Sequence, residues 1–372
     1  MRIGCPKEVK NNENRVGLTP NAVQAYVQAG HRVFIERGAG LGSAIEDREY
    51  QAAGATVLAS ADEVWAEGEM IVKVKEPLPH EYRLMRENQL IYAYFHFAAD
   101  GELTRACLEK KIAALAYETV QEGHTLPLLK PMSEVAGRMS CLMGAFYIAK
   151  TQGGRGILPM GVTGVAPAEV VILGGGVVGT NAAHTAAGLN ARVTVLDINL
   201  NRLEYLDEIM PANVTSIYND QVNLENELKT ADIVIGAVLV PGAKAPKLIR
   251  REHLKLMKPG SVIVDVAIDQ GGCCETSRQT THSEPTFVLD GIIHYCVGNM
   301  PGAYARTSTY ALGNATIKYG LMLASQGVET ACRNNAALKM GLNVYKGRIT
   351  YPSVAEAFDQ MKLYTPVEQV LA

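Results

Sequence analysis

The sequence predicts an α/β protein built from two Rossmann-like, doubly wound domains with a cleft between them, the first domain discontinuous. Three observations carry this. Short apolar runs alternate with helical patterns along most of the chain, as repeated βα units require. Glycine is abundant, 35 of 372 residues, and aromatics make up only 6%. That composition suits parallel layers joined by many tight βα turns. Finally, residues 169–197 run strand, glycines, helix, strand, the order of a dinucleotide-binding unit.

The elements follow in order. In the first ~130 residues, apolar runs predict strands at Arg2–Cys5, Arg32–Glu36, Thr56–Leu58, Met70–Lys73, Leu90–Tyr94 and Ala113–Tyr117. Thr19-Pro20 is a helix start, with Thr as N-cap and Pro in the first turn, and Gly30 is the matching stop. No phosphate fingerprint accompanies these units, so they read as a nucleotide-binding topology put to another use. Met132–Thr151 is small and apolar nearly all round, predicting a buried connecting helix. A Gly/Pro-rich loop follows. The second α/β unit has strands at Glu169–Leu173, Arg192–Leu196, Ile233–Ala237 and Ser261–Asp265, and helices at Val177–Leu189 and Leu200–Met210. Helical patterns resume at Tyr310–Ala324 and Ala331–Leu342. The expected domains are residues 1–128 plus 306–372, and residues 129–305.

Composition excludes several classes. Hydrophobic residues at 48% support a large core, and a net charge of −3 offers no cationic excess for a nucleic-acid partner. The start, MRIGCPKEVKNNEN, has no apolar signal core, and the most apolar stretch, 156–180, is broken by Gly, two Pro and Glu169. No membrane association is expected. Seven scattered cysteines without a CxxC pair read as reduced thiols in the cytoplasm. No HExxH or GxSxG occurs, so neither a metal site nor a serine hydrolase is expected.

The strongest motif is the dinucleotide fingerprint. Val170–Leu173 runs into Gly174-x-Gly176-x-x-Gly179, and a second strand ends in Asp197. Gly174 permits the tight turn, Gly176 the approach of a pyrophosphate, and Gly179 close helix–strand packing. The helix start at Val177 and Val178 presents free N–H groups to phosphates. A carboxylate at Asp197 accepts from a ribose and repels a 2′-phosphate, which favours NAD over NADP. Arg202 reads as a solvated helix charge or as a neighbour of the adenine. Val238-Leu239 and Asp265-Val266-Ala267-Ile268-Asp269 follow further strands at their carboxyl ends, where such sheets bind ligands.

Four ionisable residues stand apart. Arg15 lies in the polar loop NNENRVGLTP, where it is either a carboxylate clamp or a solvated loop charge. Lys75, two residues after Lys73, follows a strand, and either lysine also fits plain surface charge. His96 ends LIYAYFHF and reads equally as an acid/base or as a core histidine satisfied by backbone. Asp269, in VAIDQGG, reads as a carboxylate in apolar surroundings or as a turn aspartate.

The segments GCPKEVKNNENRVGLTP, HRVFIERGAG, VKEP, YFH, PMSEVAGR, VPGAKAP, DVAIDQGG and NMPG span the chain from Gly4 to Gly302. With the dinucleotide segment they resemble the alanine dehydrogenases and related transhydrogenase alpha subunits. The resemblance implies NAD-dependent, reversible oxidation of L-alanine to pyruvate and ammonium. It implies substrate binding by Arg15 and Lys75, and catalysis by His96 and Asp269. It places Ser133, Asp197, Arg202, Val238, Leu239, Asp269, Arg278, Val297, Gly298, Asn299 and Met300 at the NAD site. It also implies the discontinuous first domain and a homo-oligomer, usually a hexamer. Tyr94, Leu129 and Met132 are candidates for a small apolar pocket, or plain core. Three positions depart from the family pattern. Gly17 stands where many members have alanine, and Asn219 where some have serine near the adenosine. Gln326 replaces a histidine that some members pair with a glutamate, here Glu118, around magnesium, so no metal is expected. The alternative function is an NAD-binding, transhydrogenase-like module.

Overall fold

The computed structural model describes residues 1–238, 245–358 and 361–372. These form two compact units: Met1–Met132 with Gly302–Ala372, and Ser133–Pro301. The first is therefore built from two separate stretches of chain. The strands are β1 (Arg2–Cys5), β2 (Arg32–Glu36), β3 (Thr56–Leu58), β4 (Met70–Val72), β5 (Leu90–Ala93), β6 (Ala113–Ala116), β7 (Glu169–Leu173), β8 (Arg192–Asp197), β9 (Val214–Tyr218), β10 (Ile233–Gly236), β11 (Val262–Asp265), β12 (Thr286–Leu289), β13 (Ile292–Tyr295), β14 (Leu342–Tyr345) and β15 (Arg348–Ile349).

In the first unit the sheet order is β15-β14-β6-β5-β4-β1-β2-β3, parallel from β6 to β3, with β14 and β15 added antiparallel. The order reverses between β1 and β4, so the loops after these two strands leave in diverging directions and open a crevice. Alternate strand residues feed two cores. Ile3, Ile35, Val72, Tyr92 and Leu115 pack on one face, while Ile71, Ile91, Ala93 and Ala114 pack on the other. That alternation is what a sheet covered on both sides demands. The first helix, Pro20–Gln28, is capped by the Thr19 side chain on Ala22 N at 3.2 Å. It ends at Gly30, whose φ of +85° needs glycine.

The second unit orders its sheet β12-β13-β11-β10-β7-β8-β9, with only β12 antiparallel. The parallel part is a dinucleotide-fold order with its reversal between β7 and β10. Here too the faces separate: Val170, Ile172, Val195 and Ile235 on one, Val171, Leu173, Leu196 and Val234 on the other.

Several expectations are corrected. Strands β9, β12, β13, β14 and β15 were not expected. In β9 and β12, half-exposed residues dilute the apolar signal. The predicted helix Ala331–Leu342 ends earlier, because Leu342 begins β14 against β6. The connecting helix, Lys130–Tyr147, is not buried all round: Arg138, Leu142 and Phe146, four residues apart, line one exposed face. The helix Ala305–Asn334 is interrupted at Gly327, whose φ is +76°. Among the described residues, no helix is long and apolar enough to cross a membrane.

Candidate active site

Both sheets carry their candidate residues on the loops that leave the carboxyl ends of parallel strands. In the first unit the loop after β1 carries Glu8, Glu13 and Arg15, and the loop after β4 carries Lys73 and Lys75. These are the two loops at the order reversal.

None of these groups is surface charge. Arg15 is 2% exposed. Its Nε donates to Glu13 Oε1 at 2.7 Å and its Nη2 to Oε2 at 2.5 Å, while Nη1 meets Met132 Sδ at 3.1 Å. Burial works against the guanidinium charge, and the Glu13 pair more than offsets it, so the group stays above its ordinary value. Lys73 is completely buried between Glu8 Oε2 at 3.3 Å and Glu81 Oε1 at 3.0 Å. Burial alone would lower its ammonium. The two carboxylates reverse that and hold it above the usual lysine value. Glu8 Oε1 then accepts the backbone N–H of Val74 at 2.6 Å and of Lys75 at 3.2 Å. A buried ion triad thus fixes the backbone that carries Lys75, itself only 8% exposed. Burial raises the Glu8 carboxyl, partly countered by Lys73.

His96 lies past β5 and is exposed, which removes the core-histidine reading. Its backbone is left-handed, φ 52° and ψ 39°. Its ring lies parallel to that of Tyr94, with centroids 6.1 Å apart. Tyr94 is buried, donates to Leu128 O at 2.6 Å and packs edge-on against Tyr117. Met132 is buried and Leu129 packs against the same core. Gly17 approaches β4 so closely that a Cβ would lie 2.7 Å from Val72 O.

In the second unit the loop after β7 is the glycine motif. Gly174 has φ +100° and is glycine by necessity. A Cβ on Gly179 would lie 1.8 Å from Gly174 O, so only glycine lets the helix Val177–Gly188 sit on its strand. A Cβ on Gly176 would meet nothing within 4 Å. That open cradle at a helix start, with Val177 exposed beside it, fits a pyrophosphate. Asp197 ends β8. Its Oδ2 accepts Gly175 N at 2.7 Å and its Oδ1 accepts Asn199 N at 2.9 Å. Arg202 is not a solvated helix charge. Its guanidinium donates to Gly175 O and to Thr180 Oγ1, strapping its helix to the glycine loop.

The remaining candidates continue along the same edge. Asn219 follows β9 and donates its N–H to Asp197 O at 3.0 Å. Val238 follows β10, and Leu239 lies outside the described residues. Val266, Ala267, Ile268 and Asp269 form a single 3-10 turn after β11. Ala267 and Ile268 are buried, and Asp269 is exposed rather than set in apolar surroundings. Its Oδ2 accepts the N–H of Asn299 at 3.4 Å, joining this turn to Val297, Gly298, Asn299 and Met300 after β13. Val297 and Met300 are buried, so their side chains face the core. Arg278 is exposed over the Phe287 ring at 4.4 Å. Ser133 lies in the connecting helix.

The groups that hold these loops carry no sequence signal of that role, and Asp265 reads in sequence only as a strand-end residue. Asp265 is fully buried and accepts from Ala267 N, Cys273 N, Cys274 N and Ser277 Oγ, at 3.2, 3.2, 3.1 and 2.6 Å. It binds the Asp269 turn to the Cys273-Cys274 segment, and Cys273 and Cys274 are buried structural thiols. Glu8, Glu13 and Glu81 sit in aperiodic loops, where sequence shows only polarity. The spacing Glu13-x-Arg15 was the one available hint. Among the described residues, no cluster of three His, Cys, Asp or Glu side chains is arranged around a metal.

The chain is matched by two family descriptions: "Alanine dehydrogenase/PNT, N-terminal domain" over residues 4–136, and "Alanine dehydrogenase/PNT, C-terminal domain" over residues 140–352. It is 57% identical over 373 residues to an alanine dehydrogenase of Methanococcus maripaludis, covering 100% of both chains. A solved L-alanine dehydrogenase superposes with a TM-score of 0.94 at 50% identity, over 97% of this chain and all of that one. A transhydrogenase from Sinorhizobium meliloti gives 0.82 at 25% identity, over 95% of this chain and all of that one.

Proposed function

Because the chain belongs to the alanine dehydrogenase/PNT family, we propose that it is an NAD-dependent amino-acid dehydrogenase that interconverts L-alanine with pyruvate and ammonium. The observation that carries this reading is the division of labour between two sheets of like strand order. One order reversal holds a buried Arg15 and Lys75, and the other holds an open glycine cradle with a strand-end acid. The first suits a small carboxylate substrate, the second a dinucleotide.

The residue roles are proposals of the same reading. Arg15 meets the substrate carboxylate through its Nη1–Nη2 end, because Glu13 holds the other edge. Lys75 hydrogen-bonds the carbonyl oxygen of pyruvate and polarises it. His96 gives and takes the proton as the carbonyl becomes a carbinolamine and then an imine. Asp269 orients ammonia or water and stabilises the iminium charge. Tyr94, Leu129 and Met132 bound the methyl side. Gly174, Gly176, Val177, Val178 and Gly179 take the pyrophosphate, Asp197 with Asn219 the ribose, and Arg202 supports the loop beneath. Ser133, Val238, Leu239, Val266, Ala267, Ile268, Arg278, Val297, Gly298, Asn299 and Met300 complete the nicotinamide-cofactor site. When bound, NADH supplies the hydride.

A homo-oligomer is part of the proposal. The exposed Leu142, Phe146, Leu158, Met160, Val162 and Val165 of the second unit support it as apolar surface in want of cover. A cytoplasmic location is supported by seven cysteines that are all unpaired.

The test is NADH oxidation with pyruvate, with and without ammonium. Oxidation that requires both establishes reductive amination. Oxidation with pyruvate alone would make this a hydroxy-acid dehydrogenase and remove the ammonia role of Asp269. No oxidation despite NADH binding would favour the transhydrogenase-like module.

A further inference from the structure

Strands β5 and β6 are parallel neighbours, with Ala93 paired to Ala116. The residues that follow each strand therefore leave the sheet side by side. Two residues past β6, the Glu118 side chain reaches across to the turn past β5. Its Oε1 accepts Phe95 N at 3.1 Å and His96 N at 2.6 Å, and its Oε2 accepts Phe95 N at 3.3 Å. Two successive N–H groups converging on one carboxylate form a small backbone cradle for an anion.

What that cradle fixes is unusual. His96 is a non-glycine residue in the left-handed region, φ 52°. Side chains with a Cβ enter it only when the surroundings hold them there. The neighbours of His96 are anchored independently. Phe95 is buried and stacks on Phe97 at 4.5 Å, and the His96 carbonyl accepts Ala99 N at 2.9 Å. The imidazole itself is exposed and lies parallel to the Tyr94 ring, centroids 6.1 Å apart. Its direction therefore follows its backbone, which Glu118 holds on the N–H side and the Ala99 N–H on the carbonyl side.

We propose that Glu118 is a positioning residue for the reaction: it holds the His96 turn left-handed and so aims the imidazole. The proposal rests on the reading of His96 as the acid/base. It assigns the Glu118 carboxylate to backbone amides.

The test is a double-mutant cycle on the reductive amination of pyruvate, with NADH affinity measured separately by fluorescence. Glu118→Ala is expected to lower kcat by roughly 10–100-fold, the scale of a small misplacement of a catalytic group, while NADH affinity holds. Glu118→Gln, which keeps a carbonyl acceptor for both N–H groups, should recover kcat to within about fivefold of the parent, since a charged hydrogen bond is only about twice as strong as a neutral one. On a His96→Ala background, Glu118→Ala should cost nothing further. Full multiplicative losses in the double variant would overturn the proposal, because Glu118 would then act independently of His96. A Gln variant as slow as the Ala variant would overturn it too, by showing that charge matters rather than geometry. So would a normal kcat in Glu118→Ala while His96→Ala is slow. If His96→Ala alone keeps the parent kcat, the acid/base reading itself falls, and the positioning role falls with it.

Discussion

Replacing Lys73 by Met removes the cation that sits between Glu8 and Glu81, two carboxylates whose side chains are 2% and 3% exposed. Met nearly matches the volume, so packing is preserved and the effect is electrostatic. Removing one partner of a buried ion pair costs about 3–5 kcal/mol, because the charge left behind is neither solvated nor paired. For a unit of this size, 1 kcal/mol moves the melting point by about 2–4 °C, so a fall of roughly 6–20 °C is expected. The chain has one tryptophan, Trp65, fully buried in the same unit, so its fluorescence follows that unit. The sign of the pH dependence is fixed. Burial already raises Glu8, and Lys73 opposes that rise. Without Lys73 the folded-state value moves further above the ordinary ~4.3 of glutamate. A group raised in this way contributes stability that is present below its unfolded value and lost as pH rises through its folded one. The deficit of Lys73→Met is therefore larger at pH 8 than at pH 5. Adding Glu8→Gln should restore part of it, since the amide oxygen still accepts Val74 N and Lys75 N. A loss below ~1 kcal/mol, or one equal at both pH values, would refute the argument that this triad is tightly coupled.

Gly179→Ala places a Cβ 1.8 Å from the carbonyl oxygen of Gly174, a backbone atom that cannot rotate away. The helix must lift off β7, at a cost of about 1–3 kcal/mol, and NADH affinity should fall at least ~10-fold by titration; an unchanged affinity would show that the glycine loop does not carry the cofactor. All seven cysteines are buried and unpaired. Burial pushes the thiols of Cys5, Cys141, Cys296 and Cys332 up to about 12. Thiolate, the reactive form, is thus scarce at pH 8. A disulfide reagent should find no fast thiol in the native protein and seven after guanidinium, and any thiol reacting at its unfolded rate would contradict this.

Local patterns suffice for the α/β class, the first six strands to within a residue or so, and the glycine fingerprint with Asp197. Each depends on local chemistry: a run of apolar residues, a capped helix start, a turn that only glycine can make. The positions of Arg15, Lys75, His96 and Asp269 on strand-end loops were legible for the same reason. What surrounds those residues depends on contacts made across the fold. Arg15 in its polar loop and Lys73 at the end of an apolar run both read as ordinary charges, yet both are buried, Arg15 against Glu13 and Lys73 between Glu8 and Glu81. The Glu8–Lys73 pair joins loops distant in sequence, and no periodicity marks it. Strands β14 and β15 were hidden likewise: β14 becomes strand by pairing onto β6, an edge supplied more than two hundred residues earlier in the chain, and β15 by pairing onto β14. Glu118 reached His96 by the same route, through the parallel register of β5 and β6 rather than through anything adjacent in the sequence.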